Sequence, residues 1–228
     1  MLKKIGIGLV VVIAALVAVI FTRPDTYRVE RSVMVSAPAD LAYAQVADFL
    51  KWNAWSPWAK MDPQQKTTLT GTTGAVGSSY AWEGNDKVGS GRMTVTAVKP
   101  NEQVEIKLDF IKPFESTATT TFSFQQQGQG TKVSWTMAGN SSFLSKALSL
   151  VKSMDEMIGG DFDHGLAGIK TVSEAEAKKR AEEEAAAAAA AKAKAEAEAK
   201  AAAEAAKAAE EAGPAGGDAK KVAAPSKP

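Results

Sequence analysis

One histidine, His164, and not a single cysteine limit the chemistry open to this 228-residue chain. A Ser-His-Asp triad would have to run through His164, and one chain could build neither a multi-histidine metal site nor a thiolate site. Disulfides and a cysteine nucleophile are excluded outright. Asp161-Phe-Asp163-His164-Gly165 has the look of a metal loop. It lacks the third acidic ligand and the Asp-Gly order of a calcium loop, so Asp161 is expected to cap a helix and His164 to sit exposed on one. GTTGAVGSS, residues 71–79, spaces glycines by three but has no following Lys-Ser/Thr. It reads as a turn before a strand, not a phosphate loop. Glu83, Asp109 and Glu115 are candidate acids or bases, yet alternation turns Glu83 and Asp109 away from the aromatic side of their strands. No catalytic or metal residue is assigned, and no cofactor is expected.

The aromatic side chains carry more. FLKWNAWSPWAK, residues 49–60, holds Trp52, Trp55 and Trp58, three of the five tryptophans in the chain. Pro57 disfavours helical geometry at Ser56, so Trp52 and Trp55 are expected to share a helical face and Trp58 to fall in a turn or loop. Packing of short helices on a sheet edge, a pocket mouth that stacks on an apolar ligand, and a belt at a lipid interface all use Trp. Tyr80, Trp82, Phe110, Phe122 and Trp135 fall on the inward faces of expected strands, where a plain core also needs them. If a closing helix stands off the sheet, Met154, Met157 and Phe162 would line an adaptable apolar cavity. The candidate ligand contacts are therefore Trp55, Trp58, Tyr80, Trp82, Phe110, Phe122, Trp135, Met154, Met157 and Phe162.

These residues need elements to position them. Val29, Val33 and Val35 share a face of a strand near 26–35, with Arg31 interrupting it. Ser36 or Asp40 is placed to start a helix through Leu41, Ala44, Val46 and Phe49. Alternation then predicts strands through Tyr80 and Trp82; through Met93, Val95 and Ala97; and through Val104, Ile106, Leu108 and Phe110. A hairpin follows, Phe122 and Phe124 facing Val133, Trp135 and Met137 across a Gln-Gly-Gln-Gly turn. One long closing helix is expected to present Leu144, Leu148, Val151, Met154, Phe162, Leu166 and Ile169, bent at Gly159-Gly160. One strand, a helical pair, five or six strands on short turns and a closing helix make an α+β fold, because short hairpin turns join only antiparallel strands.

W-x-x-W-S-P-W (52–58), Y-x-W-x-G (80–84), G-x-G-x-M-x-V (89–95), G-T-K-V-S-W-x-M-x-G (130–139) and D-F-x-x-G-L-x-x-I-K (161–170), in this order, resemble the SRPBCC superfamily. Within it the chain looks like membrane-anchored bacterial proteins of the polyketide cyclase/dehydrase-like, START-related type. The resemblance implies a helix-grip fold, a curved antiparallel sheet wrapped around a long C-terminal helix. It also implies an apolar, aromatic or lipid-like ligand, with catalysis in a minority of members.

Composition divides the chain into an N-terminal anchor (1–25), the helix-grip domain (26–172), an Ala/Glu/Lys-rich helical extension (173–212) and a disordered tail (213–228). Ile5 to Phe21 is uncharged, and as a helix those residues rise about 26 Å. Lys3 and Lys4 precede it and no small-x-small cleavage site follows, so an uncleaved single-pass anchor is expected, with a cleaved signal as the rival. The domain would then lie on the extracytoplasmic side of a bacterial inner membrane. The extension holds strong helix formers and acid-first i,i+4 pairs such as Glu174–Lys178 and Glu196–Lys200, without an apolar seam. It reads as a solvated spacer whose partner, if any, is unknown. A net charge of +1 gives no case for nucleic acid. The expectation is non-catalytic binding, with transport included, of a small apolar or lipid-like ligand. A cyclase- or hydrolase-type enzyme and an interaction module with a filled core are the alternatives.

Overall fold

The computed structural model describes residues 2–211; the expected disordered tail, 213–228, lies outside the described residues. The chain runs through α1 (Leu2–Phe21), β1 (Thr26–Val35), α2 (Ala39–Ala47) and a 3-10 turn (Phe49–Lys51). Two short helices, α3 (Trp52–Trp55) and α4 (Pro57–Met61), lead to β2 (Lys66–Thr70), β3 (Ser79–Glu83), β4 (Ser90–Lys99), β5 (Gln103–Lys112), β6 (Ser116–Gln127) and β7 (Gly130–Asn140). They are followed by α5 (Phe143–Leu148) and α6 (Met154–Glu211). The architecture is α+β: one seven-stranded antiparallel sheet in the order β1-β7-β6-β5-β4-β3-β2, with α6 closing its inner face, the helix-grip arrangement. Six of the strands form a meander, and only β1 leaves sequence order, pairing with β7 from Thr26↔Asn140 to Val35↔Thr131.

Local rules account for most of these elements. Val29 and Val35 on β1, Val104 and Ile106 on β5, and Phe122 and Phe124 on β6 alternate inward as period-2 strands require. β4 departs from it. A register shift between Val95 and Ala97 sets Ala97 opposite Glu105 and Val98 opposite Val104, so Val98, not Ala97, packs on the core. The expectation for Ala97 is corrected by this bulge. β2, KTTLT, is exposed at every residue and shows no alternation; it exists by pairing with β3. The first helix of the pair has Pro38 at its N-cap and no side-chain cap, so neither Ser36 nor Asp40 caps it.

The helices correct four further expectations. Trp58 lies in α4, which begins with Pro57 in its first turn after an extended Ser56. The closing helix is interrupted at 149–153 and not at Gly159-Gly160, which lies inside α6. Consequently Leu144, Leu148 and Val151 are exposed, while Phe162, Leu166 and Ile169 are buried as expected. Asp161 sits within α6 and caps nothing; His164 is exposed. Arg31, the charge on the inner face of β1, reaches α6, where its Nη1 and Nη2 donate to Asp155 Oδ1 and Oδ2 at 2.7 and 2.8 Å and its Nε to Asp163 at 3.3 Å. Gly159 makes room for that guanidinium, since a Cβ there would stand 2.2 Å from Nη2.

Packing continues past Val172. Glu174 Oε1 accepts the Ser36 N–H at 2.7 Å, Gln45 Nε2 donates to Glu176 Oε2 at 2.6 Å, and Ala177 packs against the core. Residues from Lys179 onward form a second unit. Taken by itself, its helix is exposed and carries Lys179–Glu183, Lys192–Glu196 and Lys194–Glu198 at 3.7, 3.9 and 3.9 Å, with lysine first in each pair. α1 is also exposed along most of its length. By length and composition it is the one described helix able to cross a membrane.

Candidate functional site

A cavity of about 420 Å³ separates part of the sheet from the first turns of α6 and from α3 and α4. Its size falls within the range of small-molecule sites. β3 contributes Tyr80 and Trp82, β4 Met93, β5 Leu108 and Phe110, and β7 Trp135 and Met137. Trp52 and Trp58 come from the short helices, Ser56 from the link between them, and Met157, Ile158 and Phe162 from α6. Of the ten candidates, Trp58, Tyr80, Trp82, Phe110, Trp135, Met157 and Phe162 line this space. Trp55 and Phe122 are fully buried behind it, and Met154 borders a separate cleft of about 250 Å³.

The wall is largely aromatic and aliphatic, and most of its indole N–H groups are used inside the protein. Trp52 Nε1 donates to Val46 O at 2.8 Å, Trp55 Nε1 to Gln45 O at 2.9 Å and Trp82 Nε1 to Val88 O at 3.1 Å. Trp135 Nε1 donates to Thr120 Oγ1 at 2.7 Å, whose own proton goes to Thr136 O. Each of these four indoles turns its ring, without its N–H, toward neighbours. Trp135 stacks on Phe162 with centroids 4.1 Å apart and meets Trp58 edge-on at 5.7 Å. That stack depends on Gly165, where a Cβ would stand 2.6 Å from the Trp135 ring, and Gly168 similarly admits Trp55.

A few polar groups remain available. Tyr80 OH accepts from Gln65 Nε2 at 3.4 Å, and its own proton has no acceptor among the described residues. Burial raises the Tyr80 pKa, which keeps it a neutral donor. Trp58 Nε1 and Ser56 Oγ also lack partners there. Lys87, Lys112, Pro113 and Met157 are exposed and mark the mouth. Buried Asp62 ties the loop bearing Lys87 and Val88 to α4, its Oδ2 accepting the Asn85 N–H at 2.7 Å. The carboxylates of Glu83, Asp109 and Glu115 are not part of the lining. Among the described residues no group of three His, Cys, Asp or Glu side chains could hold a metal.

Sequence reasoning did not single out Gln65, Val88, Lys112 or Ile158. Gln65 and the two mouth loops lie outside any periodic segment, so no pattern marked them. Ile158 lies in the segment assigned to a continuous stripe. Met93, Leu108 and Met137 were legible as inward residues, but alternation does not separate a cavity wall from a core.

Residues 26–174 match the family model described as polyketide cyclase / dehydrase and lipid transport. Among curated proteins, none matches the sequence. Similar solved structures include protein CV1439 from Chromobacterium violaceum, at 15% identity and a TM-score of 0.48, covering 67% of this chain and 99% of that one. Protein Ms6760 from Mycobacterium smegmatis is similar at 18% identity and a TM-score of 0.47, covering 65% and 92%.

Proposed function

The chain belongs to the polyketide cyclase / dehydrase and lipid transport family of the SRPBCC superfamily, and we propose that it binds a small apolar or lipid-like molecule without altering it. The observation that carries this reading is the aromatic cavity under α6, whose indole N–H groups, Trp58 excepted, are already bonded within the protein. Trp58, Tyr80, Trp82, Phe110, Trp135, Met157 and Phe162 would contact the ligand, with Trp55, Phe122 and Met154 supporting them from behind and beside. Unpaired donors at Tyr80 and Trp58 suit a ligand with one acceptor oxygen, and Lys87 and Lys112 suit a polar or anionic end left at the mouth.

In this reading α1 is an uncleaved single-pass anchor, and the domain from 26 to about 172 stands on the extracytoplasmic face of the inner membrane. There the cavity samples ligands that partition into the bilayer. The Ala/Glu/Lys-rich extension, 173–212, serves as a spacer.

The test is titration of the full chain in lipid nanodiscs with the fluorescent apolar probe N-phenyl-1-naphthylamine, read against empty discs. Wild type binds saturably. Leu108→Trp, which fills the cavity from β5, loses that binding while its unfolding midpoint stays close to wild type. Equal binding by both proteins would sink the assignment. A reading as a filled interaction module would be favoured if wild type does not bind and a host lipid extract leaves its native mass unchanged.

A further inference from the structure

We propose that the outward face of α5 and the turn after it, residues 143–152, lies in the interfacial layer of the bilayer that α1 enters, holding the cavity mouth against lipid. The inference rests on the anchor reading of α1 and adds a second, reversible contact that reading does not contain.

The first observation is that α5 is amphipathic the wrong way round for water. Phe143, Leu144, Leu148 and Val151 are exposed, Val151 at 91%. At 100° per residue Phe143, Leu144 and Leu148, with Ala147, fall on one face of α5, and Val151 follows in the turn after it. Three of its polar residues turn toward the protein instead. Ser145, Lys146 and Ser149 are half-buried, Lys146 pairs with Asp25, and Ser149 Oγ donates to Lys146 O at 2.7 Å. A helix in water is selected to do the opposite, and an exposed apolar patch of this kind marks a contact surface.

What covers it follows from its neighbour. The Phe143 ring lies 5.9 Å from that of Phe21, the last residue of α1, and Ile20 is the buried apolar residue of that helix. Phe21 closes the apolar segment, so with α1 across a bilayer its ring marks the lower edge of the headgroup layer. Phe143 then stands at the same depth, and the apolar face of α5 continues along the surface from it. Interfacial helices bury their apolar side in that zone. Arg23, just past α1, and Lys152, just past α5, border the cleft between the start of β1 and α5 and would sit where lipid phosphates are found.

Strand register adds the functional consequence. Ser90 pairs with Lys112, Phe110 with Ser116, Ala118 with Gly139, and Asn140 with Thr26. The loops at the mouth, the end of β7 that leads into α5 and the start of β1 that follows α1 therefore share one end of the sheet. Exposed Phe114, in the β5–β6 turn, extends the apolar surface toward the mouth. A ligand leaving the bilayer would meet the cavity without crossing water.

The cysteine-free chain permits single nitroxide labels. Full-length Val12→Cys, Leu148→Cys, Val151→Cys and Gln129→Cys proteins are reconstituted in phosphatidylethanolamine/phosphatidylglycerol vesicles. Each label's accessibility to oxygen is compared with that to a water-soluble nickel chelate. Gln129 lies in the β6–β7 turn, at the opposite end of the strands. Oxygen should dominate at positions 12, 148 and 151, and the nickel chelate at 129. Nickel dominance at 148 and 151 with oxygen dominance at 12 overturns the docking contact and leaves the anchor intact. Nickel dominance at 12 overturns both.

Discussion

Along β5 one face changes character within seven residues. Val104 and Ile106 are fully buried, whereas Leu108 and Phe110, continuing the same alternation, are half-buried at the cavity. The strand keeps its register with β6 from Gln103 to Phe110, so the difference lies in what stands opposite. α2 packs over the closed half, where Val104 pairs with Phe122 and that ring meets Trp52 and Trp55, held by indole bonds to Val46 and Gln45. The open half faces the start of α6 and the short α4, and these do not fill the width of the sheet. A pattern of apolar residues specifies an interior; the route of the covering helix decides whether that interior is filled or hollow.

The largest effect should come from truncating the closed half. Phe122→Ala is expected to cost about 3–5 kcal/mol, because the rings around it cannot collapse into the void. Phe110→Ala, at the half-buried cavity wall, should cost about half of that or less. Urea unfolding of both variants measures the contrast, and equal losses would show that the cavity collapses in solution. Next in size is the seam between the halves. Gly165→Ala drives a Cβ into the Trp135 ring and is expected to destabilise by about 1–3 kcal/mol. Gly160→Ala, with nothing within 4 Å, should instead gain about 0.5–1 kcal/mol of helix propensity in the same assay.

A gain of similar size is expected at Ser173, whose buried hydroxyl has no hydrogen-bond partner among the described residues. Ser173→Ala should stabilise by about 1 kcal/mol, seen as a higher thermal midpoint. The smallest effect belongs to the brace at the open half. A hydrogen bond from Arg31 holds the Asp155 pKa below its ordinary value. With the folded-state pKa depressed, the stabilisation is present above the unfolded value of about 3.9 and is lost as pH falls through the folded one. The difference in melting midpoint between wild type and Arg31→Met should therefore shrink on going from about pH 5 to about pH 2. A difference that stays constant would assign the effect of Arg31 to packing against Gly159.

Much of this was legible in residue order, for definite reasons. Alternation marked β5, β6 and β7 because each has one buried face. It missed β2, which buries nothing, and misplaced Ala97, because a single inserted residue reverses every later side chain on that stretch. Helical spacing chose Phe162, Leu166 and Ile169 correctly and extended the stripe wrongly through Leu144, Leu148 and Val151. Periodicity reports that a face is apolar and is silent on what covers it. Trp58 in a helix was missed because Pro57, which ends the preceding turn, also starts a new one.

The sequence by itself determined the class of fold and the limits of its chemistry: antiparallel strands joined by short turns, an apolar N-terminal helix, one histidine and no thiol. Those are matters of composition and local period. Only the tertiary structure decided that Trp55 and Phe122 are fully buried while Trp58 and Phe110 line the cavity, and that Arg31 is braced by α6. The break before Met154, which turns α5 outward, is likewise tertiary. Each of these depends on where a distant segment comes to rest, and steric fit at Gly159, Gly165 and Gly168 sets that position more tightly than any pattern along the chain.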